Sequence, residues 1–584
     1  MRRTLPLIAC LLVLAAAPAA AHAGWFVADP IDGPGDIERV AVDFSRQGEA
    51  HVLYVKRDPA GARVWHSGLV GGAWVAPAPA SGPGATDAVV ASGEGGRVAG
   101  AWVENGAVFG SLLGKVTTQL SGGGGASGLS IDLGVNGDAY AVWSQNGDVR
   151  AARLKGQTWE TVPLALDVDP SKVAGEGASR PRVVVAADGS ALVVWGEAHA
   201  DGTTHVYARR IYGTTLSALP QDATLATVPG QLAGSADSPD VDVEFDRSYA
   251  WVVFRQDFGG RTRTIARRLR ASTFEPPAVL DGDGEGTDPH VSISGGGDGF
   301  AVSAGSGASV IGTPVTDDGP LPSGRVDALG AASNPVVAFS DRSDSAVAWL
   351  SGAEARGRLA PADSPFGPEA VLSRPDLGAV VPGSLAASAD RVGNVAVAML
   401  QGAPGARHVT VALHDLPPSR PVVTGVRKYS PRRPLVRWTP GLEFVGPQTY
   451  RVLVDGREAG TTRKSKLRLP PQRRGRHRIQ VVGIDQRGQA APSRVKRTLV
   501  DPKRPKARVG TMRSGRTVRL SVRARDGRRG TGIDRIRTDW GDGRKDSWGA
   551  SPVHRYRRGG RFTITIRVRD RAGNVTVKRT TVRV

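Results

Sequence analysis

A strand, a tight turn and a second strand closing on a large side chain recur eight times between residues 37 and 413. The clearest copy is Pro181-Arg182-Val183-Val184-Val185-Ala186-Ala187-Asp188-Gly189-Ser190-Ala191-Leu192-Val193-Val194-Trp195. The copies close at Tyr54, Trp102, Trp143, Trp195, Phe254, Ala304, Trp349 and Met399, spaced by 48, 41, 52, 59, 50, 45 and 50 residues. A turn residue stands six places before the close at Gly48, Gly137, Gly189, Ser343 and Gly393. Apolar residues alternate or run in short blocks bounded by Gly, Asp and Pro, and no window sustains a helical period. A unit this short cannot bury its apolar faces alone, so neighbouring copies must stack.

Most copies continue into a third strand, as at Asp148–Leu154, and often a fourth opening on Trp, as at Gly71-Gly72-Ala73-Trp74 and Gly156-Gln157-Thr158-Trp159. Four strands in about 49 residues is the size of one β-propeller blade. The chain therefore reads as all-β, with a β-propeller of about eight four-stranded blades over residues 24–417, seven being the alternative. Ala304 makes the sixth copy the weakest. The last copy stops at its third strand, His408–Leu413, ahead of Pro417-Pro418. Gly24-Trp25-Phe26-Val27-Ala28 resembles the opening of a fourth strand, so the N-terminal segment is expected to close the ring and cover an otherwise open edge.

Residues 1–23 read as a signal peptide, with Arg2-Arg3, an apolar run from Leu5 to Ala17 and a small-residue end at Ala21-His22-Ala23. Leu7-Ile8-Ala9-Cys10 superficially resembles a bacterial lipoprotein box, but the apolar run continues past it. Cys10 is the single cysteine. Cleavage after Ala23 is thus expected to leave a thiol-free chain without disulfide, thiolate metal site or cysteine nucleophile. No second long apolar stretch follows, so the protein is expected to be secreted, either released or cell-surface associated, monomeric and without a membrane span.

Charge divides the chain. Residues 421–584 hold 44 Lys plus Arg against 11 Asp plus Glu, leaving 32 basic and 44 acidic residues before them. A tail with that excess attracts polyanions, and an anionic wall polymer or polysaccharide is the expected partner, with a protein partner also open and no specific nucleic acid. Residues 421–500 read as short strands at sandwich spacing, among them Leu435-Val436-Arg437-Trp438 and Thr449-Tyr450-Arg451-Val452-Leu453-Val454. They resemble a fibronectin type III or immunoglobulin-like domain with Trp438 in its core. Residues 501–584 contain Asp539-Trp540-Gly541-Asp542-Gly543, His554-Arg555-Tyr556, Gly559-Gly560 and Phe562–Asn574, in an order that resembles a PKD domain. The resemblance implies a second small β-sandwich in which Asp542 shapes a turn, and an extracellular spacer or adhesion role.

Candidate sites are sparse. Asp281, Asp283, Glu285 and Asp288 alternate with glycines before the sixth copy, in the manner of the first half of a calcium loop, but Ser292 stands where the EF-hand requires Glu. Ca²⁺ on these four residues is the one metal expectation, and no other cofactor is foreseen. Asp240, Asp288 and His290 lie just ahead of the fifth and sixth copies and are expected at the mouth of the central channel. The Trp-bearing turns are similar to the Asp-box of sialidase-like propellers but lack its Ser and Asp. No catalytic residue is identified, and the leaning is away from an enzyme. Two functions stand: a non-catalytic extracellular or cell-surface adhesion protein, or a secreted carbohydrate-active enzyme with a PKD accessory domain. Carboxylates and a His converging at the mouth would favour the enzyme, and a mouth of Gly, Ala and Ser would count against it.

Overall fold

A computed structural model describes residues 24–584 apart from 226–232, 245–248, 259, 283, 329, 548 and 550. The proposed signal peptide thus lies outside the described residues. Regular structure is all-β, interrupted by three single-turn 3₁₀ segments. Two compact units are present: Gly24 to Leu416 with Phe444–Gly446, and Pro417–Glu443 with Pro447–Val584.

Among the described residues the first unit contains eight antiparallel meanders. Their first strands are Asp29–Phe44, Ala85–Ser92, Ser127–Leu133, Arg182–Val185, Ala233–Val243, Gly286–Ile293, Ala332–Phe339 and Ala386–Ala389. Each first strand touches the next and the eighth touches the first, so side-chain packing closes the cycle without a continuous hydrogen-bonded barrel. Strand Asp29–Phe44 serves two sheets. Its start pairs with Arg407 to Val411 of the eighth sheet, and its remainder pairs with Ala50 to Arg57 of the first. Gly24 and Trp25 pair ahead of it with Asp415 and His414, so the N-terminal segment supplies the outer strand of the eighth sheet.

The closing aromatics are the interior of this ring. Tyr54, Trp102, Trp195, Phe254 and Trp349 are fully buried. Neighbouring sheets share clusters, as where Val194 and Ala208 of the fourth pack with Val252 and Phe254 of the fifth. Alternation explains the burial, because every second residue of a strand faces an adjacent sheet.

A second regularity is less visible in the sequence. After the fourth strand of seven sheets, a Ser, Thr or Asp side chain accepts the backbone N–H at or near the start of the third strand. The acceptors are Ser81, Ser121, Asp167, Thr224, Asp281, Asp327 and Ser373. An aliphatic residue precedes each, and Leu120, Leu166, Ala223, Leu280, Val326 and Leu372 are buried. The pair anchors the segment between sheets and satisfies a buried donor that would otherwise lack a partner.

In the second unit, residues from Val422 to Val500 form a three-stranded and a larger sheet around Trp438, whose ring lies 5.3 Å from Tyr450. Residues 506–583 form two further sheets packed on Val518, Leu520, Trp540, Tyr556, Ile564 and Ile566. Asp542 accepts Arg544 N at 3.1 Å and faces His554 Nε2 at 2.7 Å, while Tyr556 OH donates to Trp540 O at 2.9 Å. Asp542 is therefore occupied in shaping its turn; burial pushes its carboxyl up, but the His554 and Arg544 hydrogen bonds together hold it low.

Candidate functional site

The eight first strands surround a cavity of about 680 Å³. Six of them lose register at its rim, between Ile37 and Arg39, Ala85 and Asp87, Ser127 and Ser130, Asp237 and Asp240, Thr287 and His290, and Ser333 and Val336. Such bulges re-aim side chains beside binding sites. Ser238, Asp288 and Asn334 occupy the left-handed region at φ 51°, 51° and 48°, each directly before a proline. Non-glycine residues adopt it at a cost of order 1–3 kcal/mol, and the surrounding structure sustains that strain.

The bulges gather charge. His290 lies between two carboxylates, with Nδ1 3.1 Å from Asp240 Oδ2 and Nε2 3.6 Å from Asp288 Oδ1. Burial opposes the imidazolium, but hydrogen bonds to Asp240 and Asp288 prevail and carry its pKa up to about 9. Reciprocally, burial pushes Asp240 and Asp288 up, but His290 together with Arg182 at Asp240 and Asn334 at Asp288 holds both below the usual carboxylate range. The three expected mouth residues are thus brought together as a locked ionic group.

Arg39, Asp87, Arg180 and Arg182, none of them among the expected site residues, line the same cavity. Arg180 and Arg182 flank Pro181 as Ser238 and Asp240 flank Pro239, and as Asp288 and His290 flank Pro289. That X-Pro-X alignment was the available signal. Arg182 reaches to 3.7 Å from Asp240. Arg39 and Arg180 make no ion pair or side-chain hydrogen bond among the described residues. The repulsion of Arg182 presses Arg180 down to about 10, with burial adding to it. Its side chain is wetted by the cavity yet ringed by protein, so exposure and electrostatic confinement coexist. Burial pushes Asp87 upward against the pull of Arg39 and Arg180.

Among the described residues, the expected calcium ligands Asp281, Glu285 and Asp288 do not converge. Asp281 is buried and accepts Arg263 Nε at 3.0 Å and Thr264 N at 2.8 Å, so it is an inter-strand cap and its charge is already matched. Glu285 is exposed, Asp288 turns to His290, and Asp283 lies outside the described residues. No group of three metal-capable side chains includes Asp281, Glu285 or Asp288 among the described residues.

A smaller cavity of about 280 Å³ on the same ring is lined by Asp43, Asp132 and Asp242. Each accepts a backbone N–H of the following sheet, from Ser92 at 2.6 Å, Val185 at 2.6 Å and Ile293 at 2.7 Å. Burial outweighs these hydrogen bonds and raises the carboxyls to about 7, 6 and 7 respectively. The fold therefore retains protons that the unfolded chain releases above about pH 4, and this contribution to stability falls as pH rises toward 7. Replacing all three by Asn is expected to shift the stability difference from wild type in the variant's favour, by on the order of several kcal/mol, as pH rises from about 4 to 7. Denaturant unfolding across that range checks it, and a pH-independent difference contradicts it.

The second unit carries a different surface. Strands Lys506–Ser514 and Thr517–Arg525 pair with Lys506 opposite Arg525, Arg508 opposite Arg523 and Met512 opposite Arg519. All six residues are exposed. None of the five cations has an ion pair or side-chain hydrogen bond among the described residues. Like charges directly opposed across a ladder are destabilising, so the fold alone does not explain this arrangement.

Residues 502–584 match the PKD domain family. Among solved structures, this chain is 23% identical to the PKD1 domain of Vibrio anguillarum Epp, covering 14% of this chain and 96% of that one at TM-score 0.14. It is 24% identical to the PKD1 domain of the Vibrio cholerae metalloprotease PrtV, covering 14% and 98% at TM-score 0.13. Similarity to the Penicillium chrysogenum alpha-L-arabinanase is 13% identity over 49% of this chain and 92% of that one, at TM-score 0.34. No curated protein matches this chain. Among the described residues no helix is long and apolar enough to cross a membrane.

Proposed function

We propose that this is a non-catalytic extracellular binding protein, in which the ring of eight sheets is a β-propeller recognising an acidic glycan or wall polymer and the basic sandwiches associate with the same class of polyanion. The observation that carries this reading is cationic charge without a direct ion pair among the described residues: Arg39 and Arg180 in the mouth, which share only the more distant pull of acids such as Asp87, and the Lys506 to Arg525 ladder. A guanidinium presents a planar fork of donors that matches a carboxylate, phosphate or sulfate. Among the acids lining the mouth, Asp240 and Asp288 hold His290, and burial pushes Asp87 toward its neutral form against the pull of Arg39 and Arg180. A polymer bearing one anion per repeat would supply what the fold omits.

The mouth also supports a second reading. Its carboxylates and His converge, and Asp87 is pushed up while Asp240 and Asp288 are pulled down. Such divergence separates a general acid from a general base, as glycosidases require. The test uses the full chain and an oligogalacturonide. Under the binding reading, replacing both Arg39 and Arg180 by Gln weakens binding roughly ten- to a hundredfold, about 1.5–3 kcal/mol for charge-assisted hydrogen bonds, and no reducing ends appear. Unchanged affinity in that variant overturns it. Reducing ends released by wild type and lost in Asp87→Asn with binding retained would establish the enzyme.

A further inference from the structure

The hairpin between strands Ser190–Ala198 and Thr204–Tyr212 of the fourth sheet carries a side-chain group that the mouth does not use. His199 and His205 stack with ring centroids 4.1 Å apart and planes 21° from parallel. His199 Nδ1 is taken by Tyr207 OH at 3.1 Å, and His205 Nδ1 by Asp222 Oδ2 at 2.7 Å. Asp201 is fixed in the turn, where its Oδ1 accepts Thr203 N at 2.8 Å and Thr203 Oγ1 at 2.6 Å. Its other oxygen is left facing His205 Nε2 at 3.4 Å. One ligand atom from each of His199, Asp201 and His205 lies within 4.8 Å of the other two.

The geometry points to a binding site for a divalent d-block cation, of which Zn²⁺ is the representative, formed by His199, Asp201 and His205. Imidazoles that ligate a metal through one nitrogen characteristically give the other to a carboxylate or similar partner, which fixes ring orientation and raises ligand basicity. Asp222 and Tyr207 stand in those outer positions, and they leave the Nε2 atoms for the ion. A separation of 3.4 Å between His205 Nε2 and Asp201 Oδ2 is close to the edge of a tetrahedron whose metal–ligand bonds are about 2.1 Å. Two imidazoles with one carboxylate suit Zn²⁺ or Cu²⁺ better than Ca²⁺ or Mg²⁺, which take oxygen ligands. A simple His–Asp ion pair accounts for His205 and Asp201 but leaves the stacked His199 without a purpose. Three protein ligands leave a fourth position open to water or to a donor atom of a bound molecule. The hairpin also borders the segment leading to Arg180, since Ala198 N donates to Val173 O at 3.0 Å. The inference stands whether or not the mouth binds an acidic polymer.

Zn²⁺ titration of the chelator-stripped full chain, in competition with a chromogenic chelator, tests it. One equivalent is expected to bind in wild type and in His66→Ala, and to be lost in His199→Ala and His205→Ala. Asp222→Asn is expected to weaken it about 10–100-fold through the outer position alone. Matching metal-free unfolding curves show that the variants are folded, as the exposed hairpin predicts. No stoichiometric Zn²⁺ uptake by wild type, or equal uptake by the folded His199→Ala and His205→Ala proteins, overturns the assignment.

Discussion

Replacing Lys506, Arg508, Arg519, Arg523 and Arg525 together by Gln is expected to weaken binding of the full chain to an acidic polysaccharide by roughly five-thousandfold. The figure follows from about 1 kcal/mol per cation close to an anionic surface. The same variant is expected to unfold at higher denaturant. Arg508 opposite Arg523 and Lys506 opposite Arg525 repel across the ladder, and each exposed cross-strand pair carries about 0.2–1 kcal/mol. Surfaces kept for function are commonly those whose removal stabilises the fold. Affinity by surface-immobilised polymer and stability by denaturant midpoint give the two readouts. A variant that binds as wild type does, or is less stable than wild type, contradicts the assignment of this face.

Asp281→Ala is expected to destabilise the first unit by about 3–5 kcal/mol, the usual result of leaving one partner of a buried pair uncompensated. The substitution removes the acceptor for Arg263, whose side chain is 18% exposed, and for the buried Thr264 N–H. Asp281→Asn keeps an oxygen for one of them and is expected to cost less, about 1–2 kcal/mol. A loss below about 1 kcal/mol for Asp281→Ala would show that water replaces the carboxylate, and the capping account of the seven equivalent side chains would fail with it.

The repeat was legible because alternation and a closing aromatic survive in most copies, and both follow from stacking sheets on buried side chains. Trp102, Trp195 and Trp349 lie where that logic puts them. Capping residues were not legible, since a hydroxyl at Ser81 and a carboxylate at Asp281 do one task with different chemistry. That difference is why Asp281 read as a calcium ligand. Asp240, Asp288 and His290 could be placed together because Pro239 and Pro289 mark the same bulge in successive copies. Arg180 and Arg182 carry the same mark around Pro181, but as cations they lack the ligand chemistry by which Asp240, Asp288 and His290 stand out in the sequence. Arg39 and Asp87 have no proline beside them, and their convergence is a product of ring closure. His199 and His205 lie six residues apart in sequence, and only the antiparallel pairing of their strands brings the rings into contact.

Cations that form no direct ion pair within the fold are expected to be matched by an anionic polymer, and salt tests this most directly. Retention of the wild-type chain on polygalacturonate is measured against retention on neutral dextran, between about 0.05 and 0.5 M salt, where the screening length contracts from more than 10 Å to less than 5 Å. The account predicts selective retention on the acidic polymer at low salt and release as salt rises. Equal retention on both polymers, or retention unchanged at high salt, would contradict it.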